Sequence, residues 1–66
     1  MAVLESGTKV SVVIEYIERT GTVVSSAQYG PEGLKYTVEL DEAIPYGWNL
    51  KPTTEFIIEQ KLVRGI

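Results

Sequence analysis

Beta-branched side chains are the feature that most limits what this chain can fold into. Val, Ile and Thr supply twenty of its 66 residues, whereas Ala supplies three. Beta-branched residues lose side-chain freedom in a helix and pack well on the pleated surface of a sheet. Several segments also alternate apolar and polar residues with a period of two, which is typical of half-buried strands. The sequence therefore predicts an all-β fold.

Five strands are expected, at residues 8–17, 22–28, 34–41, 54–59 and 63–66. The third alternates most regularly, and its buried face would carry Leu34, Tyr36, Val38 and Leu40. Tyr16 is expected in the core, on the first strand. This first segment also fits a helix, because its apolar residues form a stripe at helical spacing. The density of β-branched residues and two nearby glycines favour the strand.

Turn signals separate the predicted strands. Residues 18–21 are expected to form a tight turn that ends at Gly21. The Gly-Pro-Glu-Gly sequence at residues 30–33 gives the strongest signal, because proline presets φ and a following glycine accepts positive φ. The second and third strands should therefore form a hairpin. Small residues at 25–27 suggest a bend, and residues 60–62 suggest one 3-10 turn before the last strand.

These strands predict a single domain over residues 1–66. An open sheet of this size would expose hydrophobic edges, so closure into a barrel or pairing with another subunit is expected. The chain resembles an SH3-like small barrel, mostly antiparallel, in four segments: Gly7-Thr8-Lys9-Val10, Gly21-Thr22-Val23-Val24, residues 36–41, and Leu62-Val63-Arg64. The resemblance implies the architecture alone, because such barrels include peptide binders, nucleic-acid binders and a few enzymes.

Two families within this architecture share short motifs with the chain. Gly21-Thr22-Val23 and residues 38–42 are similar to the core of CAP-Gly domains, whose Gly-Lys-Asn-Asp-Gly groove has no counterpart here. Pro31-Glu32-Gly33 and the following Tyr-x-Val-Glu are similar to type II dihydrofolate reductases, short SH3-like chains that assemble into a tetramer around one pore. Their Val-Gln-Ile-Tyr pore segment has no match in this chain, so that resemblance implies an architecture without the activity.

Residue types and charge exclude several functions. The sequence contains no His and no Cys, so histidine-dependent triads, thiol nucleophiles and disulfides cannot form within it. Glu39 and Asp41 share a strand face and could hold a cation, although a solvated surface is the preferred interpretation. The net charge of −3 disfavours nucleic-acid binding, and no segment approaches the about 20 apolar residues of a membrane span. We expect a cytoplasmic protein with no metal and no cofactor.

Residues 42–53 break the alternation with two prolines and a glycine, which are incompatible with a central strand. We expect an irregular loop here, in which Trp48 plugs the open end of the barrel. A subunit interface and a ligand groove are the alternative roles of this loop. The aromatic residues of the loop favour the interface and the groove, because Trp and Tyr are enriched among interface anchors.

The aromatic residues give the only positive indication of function. The sequence predicts a small non-enzymatic interaction module that binds a protein partner, or itself as a homo-oligomer, through Tyr29, Tyr46 and Trp48. One alternative is a pore-type oligomeric enzyme, resembling type II dihydrofolate reductase in architecture, with a site that includes Tyr46, Gln60 and Lys61. The other is a Tudor-like barrel that binds nucleic acid.

Overall fold

A computed structural model describes residues 3–66, which form five strands and two short 3-10 helices. The strands are β1 (Lys9–Ile14), β2 (Ile17–Gln28), β3 (Leu34–Tyr46), β4 (Lys51–Glu59) and β5 (Val63–Gly65). The 3-10 helices are η1 (Gly30–Glu32) and η2 (Gln60–Leu62). The predictions of an all-β fold and of a 3-10 turn before the last strand are confirmed. No helix of the described residues has the length and hydropathy needed to cross a membrane.

All five strands belong to one antiparallel sheet with the order β4-β3-β2-β1-β5. Strands β4 and β5 are its two edges, and no ladder joins them in the part of the chain that the structure describes. The sheet is therefore compatible with an SH3-like barrel without being closed into one. The free edge of β4 remains available to other groups.

The sheet curves around one apolar core. Alternation along each strand turns one set of side chains inward, as the sequence predicted for β3, where Tyr36 is the largest fully buried residue. The Tyr36 hydroxyl accepts a hydrogen bond of 3.1 Å from the backbone N–H of Leu4, so its polar end is satisfied. The core consists of Val10, Val12, Ile14, Val23, Tyr36, Val38, Leu40, Ile44, Ile58 and Val63.

The first hairpin turns earlier than the sequence predicted. Ile14 pairs with Ile17, and the two residues between them, Glu15 and Tyr16, have φ angles of 51° and 69°. Two consecutive positive φ angles define a type I′ turn, whose twist suits a hairpin. The predicted turn at residues 18–21 is wrong, because these residues continue β2. Tyr16 is fully exposed at the turn and not in the core.

The second hairpin confirms its prediction. Strands β2 and β3 pair on either side of η1, and Gly33 closes the turn with a φ of 88°. The backbone N–H of Tyr29 donates to the carbonyl oxygen of Gly33 at 2.8 Å. A register shift between Val23 and Ser25 bends β2, close to where the small residues suggested a bend.

The third hairpin corrects the prediction of an irregular loop at residues 42–53. Strand β3 continues to Tyr46 and β4 begins at Lys51, with a register shift between Glu39 and Ile44. The two prolines, Pro45 and Pro52, lie opposite each other in this ladder.

A two-stranded ribbon tolerates these prolines. The ladder of β2 with β3 stops at Leu40, so the later part of β3 has β4 on one side and a free edge on the other. Proline is accepted on such an edge because its missing N–H removes no ladder hydrogen bond there. We call this ribbon, residues 44–53, the arm, and its four central residues, 47–50, the tip.

Candidate functional site

The tip is a tight turn that displays two large apolar side chains. The backbone N–H of Leu50 donates to the carbonyl oxygen of Gly47 at 3.1 Å, and the Asn49 side chain accepts from the N–H of Lys51 at 3.3 Å. Trp48 is 96% exposed and Leu50 is 68% exposed. The prediction that Trp48 plugs the barrel is therefore wrong, because the indole stands in solvent beyond the core.

Tyr46 is fixed in place below the tip. Its ring meets the ring of Phe56 edge to face, with centroids 4.8 Å apart and an interplanar angle of 88°. Edge-to-face pairs contribute about 0.5–1.5 kcal/mol beyond the area they bury. Tyr46 nevertheless remains partly exposed. Its ring, fixed by Phe56, therefore forms an exposed aromatic surface at the base of the arm.

A shallow groove of about 280 Å³ runs along β4. Its apolar lining includes Val13, Tyr46, Phe56, Ile58 and Leu62. We call it the β4 groove. Its residues come from β1, β3, β4 and η2, and the charged side chains of Lys35 and Glu59 also line it.

Tyr29, the third predicted binding residue, lies apart from the arm. It precedes η1, at the opposite end of β3 from Tyr46. The ammonium of Lys35 stands 5.0 Å from the centroid of the Tyr29 ring and 2.7 Å from Glu32 Oε1. Lys35 also lines the β4 groove, so this cation is the link between Tyr29 and the groove.

The contact between Lys35 and Glu32 shifts the pKa of both groups. The hydrogen bond from Lys35 lowers the pKa of Glu32, and the same contact raises the pKa of Lys35. Both groups are therefore charged at neutral pH. The charged ammonium of Lys35 lies over the Tyr29 ring, which gives a cation–π contact. The structure thus brings Tyr46 and Trp48 together on the arm and holds Tyr29 in a separate, charged contact.

The two carboxylates considered for cation binding have different surroundings. Asp41 accepts hydrogen bonds from Lys9 at 2.9 Å and from the Thr20 hydroxyl at 2.8 Å, which lower its pKa. Glu39 lies directly opposite Glu55 on β4. Among residues 3–66, no group of three or more acidic residues is arranged to hold a metal ion.

Strand β4 carries two charges of opposite sign without ion pairs. The four ion pairs of the described residues are Lys9–Asp41, Lys35–Glu32, Lys61–Glu59 and Arg64–Glu18. Lys51 and Glu55 belong to none of them, and both are exposed. Their spacing of four residues places them on the same face of the strand.

Sequence reasoning missed the exposed apolar residues beside the arm. Ile57 is 59% exposed, and Val13 and Leu62 also face solvent in part. Two runs of three apolar residues, at 12–14 and 56–58, indicate such exposed positions in the sequence. Because side chains alternate along a strand, the middle residue of such a run must point away from the core.

The residues of the enzyme alternative do not share a depression. Gln60 and Lys61 line one beside Glu32 and Leu34, whereas Tyr46 lines the β4 groove. No protein-family model, curated protein or solved structure matches this chain.

Proposed function

We propose that this chain is a non-enzymatic interaction module, built as an SH3-like barrel, that binds a protein through its arm. The observation that carries the proposal is the position of Trp48 at the end of a structured turn outside the core. A tryptophan in such a place contributes nothing to packing within the chain. Its apolar surface is free for a partner.

The size of the exposed residue supports binding of a protein surface. Burying an aromatic side chain of this kind removes about 200 Å² from water, on the order of 5 kcal/mol before the costs of association. Interfaces concentrate their affinity in a few such anchors, with Trp and Tyr prominent among them. Leu50 beside Trp48 and Tyr46 below it extend the apolar surface.

The preorganised turn also favours binding. Two hydrogen bonds hold the tip, and the ladder between β3 and β4 holds the arm, so little backbone entropy remains to be lost when a partner binds. The SH3-like architecture is supported by the strand order, in which the short β5 pairs with β1.

A photo-crosslinking experiment tests this function. A benzophenone amino acid replaces Trp48 in one variant and Ser26, an exposed residue of β2, in a control variant. We expect covalent protein adducts from position 48 and far fewer from position 26. Equal labelling from both positions would contradict the proposal.

A further inference from the structure

We infer that the partner is a second copy of this chain, with the two arms side by side in opposite directions about a two-fold axis beside Thr53. This inference rests on the proposed function and specifies its partner. It is based on the exposed area of the chain, on two free charges and on the spacing between the tip and the β4 groove.

The chain exposes more surface than a compact monomer of its mass. A globular chain of 7.3 kDa is expected to expose about 4,200 Å², whereas this one exposes 4758 Å². The excess of roughly 600 Å² approaches the about 800 Å² that each partner buries in a standard interface. Among the described residues, twelve large hydrophobic side chains are exposed and ten form the core. Six of the twelve lie on the tip or line the β4 groove: Val13, Tyr46, Trp48, Leu50, Ile57 and Leu62.

The two free charges on β4 are self-complementary. Lys51 and Glu55 lie two residues before and two residues after Thr53, on one face of the strand. An antiparallel copy centred on Thr53 therefore brings Lys51 beside the partner's Glu55, and Glu55 beside the partner's Lys51. Glu55 already faces Glu39 across the sheet, so the arriving ammonium also relieves a contact between like charges.

The same axis brings each tip to the partner's groove. On the face of β4 that carries Lys51 and Glu55, Ile57 is exposed, lines the β4 groove and lies four residues after Thr53. The tip, residues 47–50, lies three to six residues before Thr53 and displays Trp48 and Leu50. One antiparallel arrangement about Thr53 therefore pairs the two charges and brings each tip towards the partner's exposed Ile57.

Side chains, and not a backbone ladder, would form this contact. Pro52 lies next to the axis on an edge strand and has no N–H to donate. Prolines and charges on an edge are devices that discourage indefinite strand pairing. The isologous arrangement closes on itself because each copy uses the same arm and groove, so it stops at two chains.

Charge reversal tests the pairing. Lys51→Glu and Glu55→Lys are each expected to weaken dimerisation at least tenfold, measured by sedimentation velocity at low ionic strength, because each places like charges together. The double variant restores opposite charges and should dimerise within about threefold of wild type. Circular dichroism checks that each variant is folded. A double variant as weak as the single variants would overturn the arrangement.

Cysteine placement tests the position of the axis. The chain has no cysteine, so a single introduced thiol can react only with its copy in another chain. Thr53→Cys is expected to form a disulfide-linked dimer at least tenfold faster than the control Ser26→Cys under mild oxidation. Equal rates for the two variants would place the axis elsewhere and overturn the inference.

Fluorescence separates this inference from the proposed function. Trp48 is the only tryptophan, so its emission reports the tip directly. We expect a blue shift and reduced acrylamide quenching as the chain concentration rises. A wild-type chain that stays monomeric at high micromolar concentration, while position 48 still crosslinks to another protein, would overturn the second copy and leave the proposed function standing. Failure of both experiments would overturn both.

Discussion

Gly21 occupies a place in β2 where no side chain fits. A Cβ atom there would lie 2.6 Å from the carbonyl oxygen of Glu39 and 2.9 Å from Cγ1 of Val38. Both distances are shorter than ordinary contacts, and the first is to backbone, which cannot move aside easily. The glycine is therefore required by the close approach of β3.

We expect Gly21→Ala to reduce the free energy of unfolding by about 1–3 kcal/mol, because the added methyl group forces the two strands apart. Urea unfolding followed by circular dichroism measures the change at one fixed chain concentration. Gly65→Ala is the matched control, since its Cβ would meet only Leu4 Cδ2 at 3.8 Å. Equal effects of the two substitutions would contradict this explanation.

Trp48→Ala is expected to change the free energy of unfolding of the dilute monomer by less than about 0.5 kcal/mol. The exposed indole has almost no contact area with the core to lose. Urea unfolding at low micromolar concentration measures the effect, with Val38→Ala as a control for a buried position, expected to cost about 2 kcal/mol or more. A comparable loss at position 48 would mean that Trp48 packs on its own chain.

The sequence identifies individual residues such as Gly21 as structurally important, but it does not show which contact makes them so. The sequence predicts a turn at Gly21, whereas this glycine leaves space for β3. The alternating run predicts a core position for Tyr16, but the strand ends at Ile14. In both cases the deciding partner is distant in sequence, so local pattern could not reveal it.

The first hairpin is closed by residues poorly suited to their backbone angles. Glu15 and Tyr16 both have positive φ, a region that costs a non-glycine residue roughly 1–2 kcal/mol. Asn and Gly are the preferred residues of a type I′ turn. Tyr16 is fully exposed, so removing its side chain sacrifices no packing.

The double substitution Glu15→Asn and Tyr16→Gly is expected to raise the free energy of unfolding by about 1 kcal/mol, part of the gain being lost to the greater freedom of glycine in the unfolded chain. Thermal and urea unfolding measure it. Glu15→Gln with Tyr16→Phe keeps the unfavourable φ angles and should leave stability unchanged. No difference between the two variants would show that the turn is not strained.

Strands were predictable from alternation, whereas the arm was not. The third strand was located correctly up to Asp41 because its pattern is local. Beyond it, the acceptance of Pro45 and Pro52 depends on where β2 stops pairing with β3, which is a property of the sheet. The sequence does show that this segment carries several large apolar side chains, and a binding role for its aromatic residues stays a prediction.

The whole molecule carries several surface carboxylates whose pKa values are lowered in the fold. Hydrogen bonds from Lys9 and Thr20 lower the pKa of Asp41, those from Ser11 and Arg64 lower that of Glu18, and Lys35 lowers that of Glu32. A carboxylate with a depressed pKa stabilises the fold above its unfolded pKa and loses this contribution as pH falls through its folded pKa. The ordinary values are 3.8 for Asp and 4.5 for Glu.

Stability is therefore expected to be constant from pH 7 to about pH 5 and to decline below the ordinary pKa values of these acids. Urea midpoints measured from pH 7 to pH 3 test this. Asp41→Asn should flatten part of the decline, because its hydrogen bonds no longer depend on a charge. An identical slope in Asp41→Asn would contradict this account.

Closure of the sheet was the whole-molecule property that sequence could not decide. Five strands and their antiparallel order follow from hairpins that are adjacent in sequence, apart from the pairing of β5 with β1. Whether β4 would also find a neighbour depends on the curvature of every strand between the two edges. The sequence therefore predicts either a closed barrel or pairing with a second subunit, and it does not distinguish between the two.

The separation of the tip from the core has a consequence for how such a chain could diversify. Residues 47–50 make their turn with backbone bonds and one asparagine, and their large side chains support nothing beneath them. New side chains could be placed at positions 48 and 50 while Gly47, with its positive φ, and Asn49 keep the turn. A library randomised at these two positions would then yield folded proteins with altered selectivity.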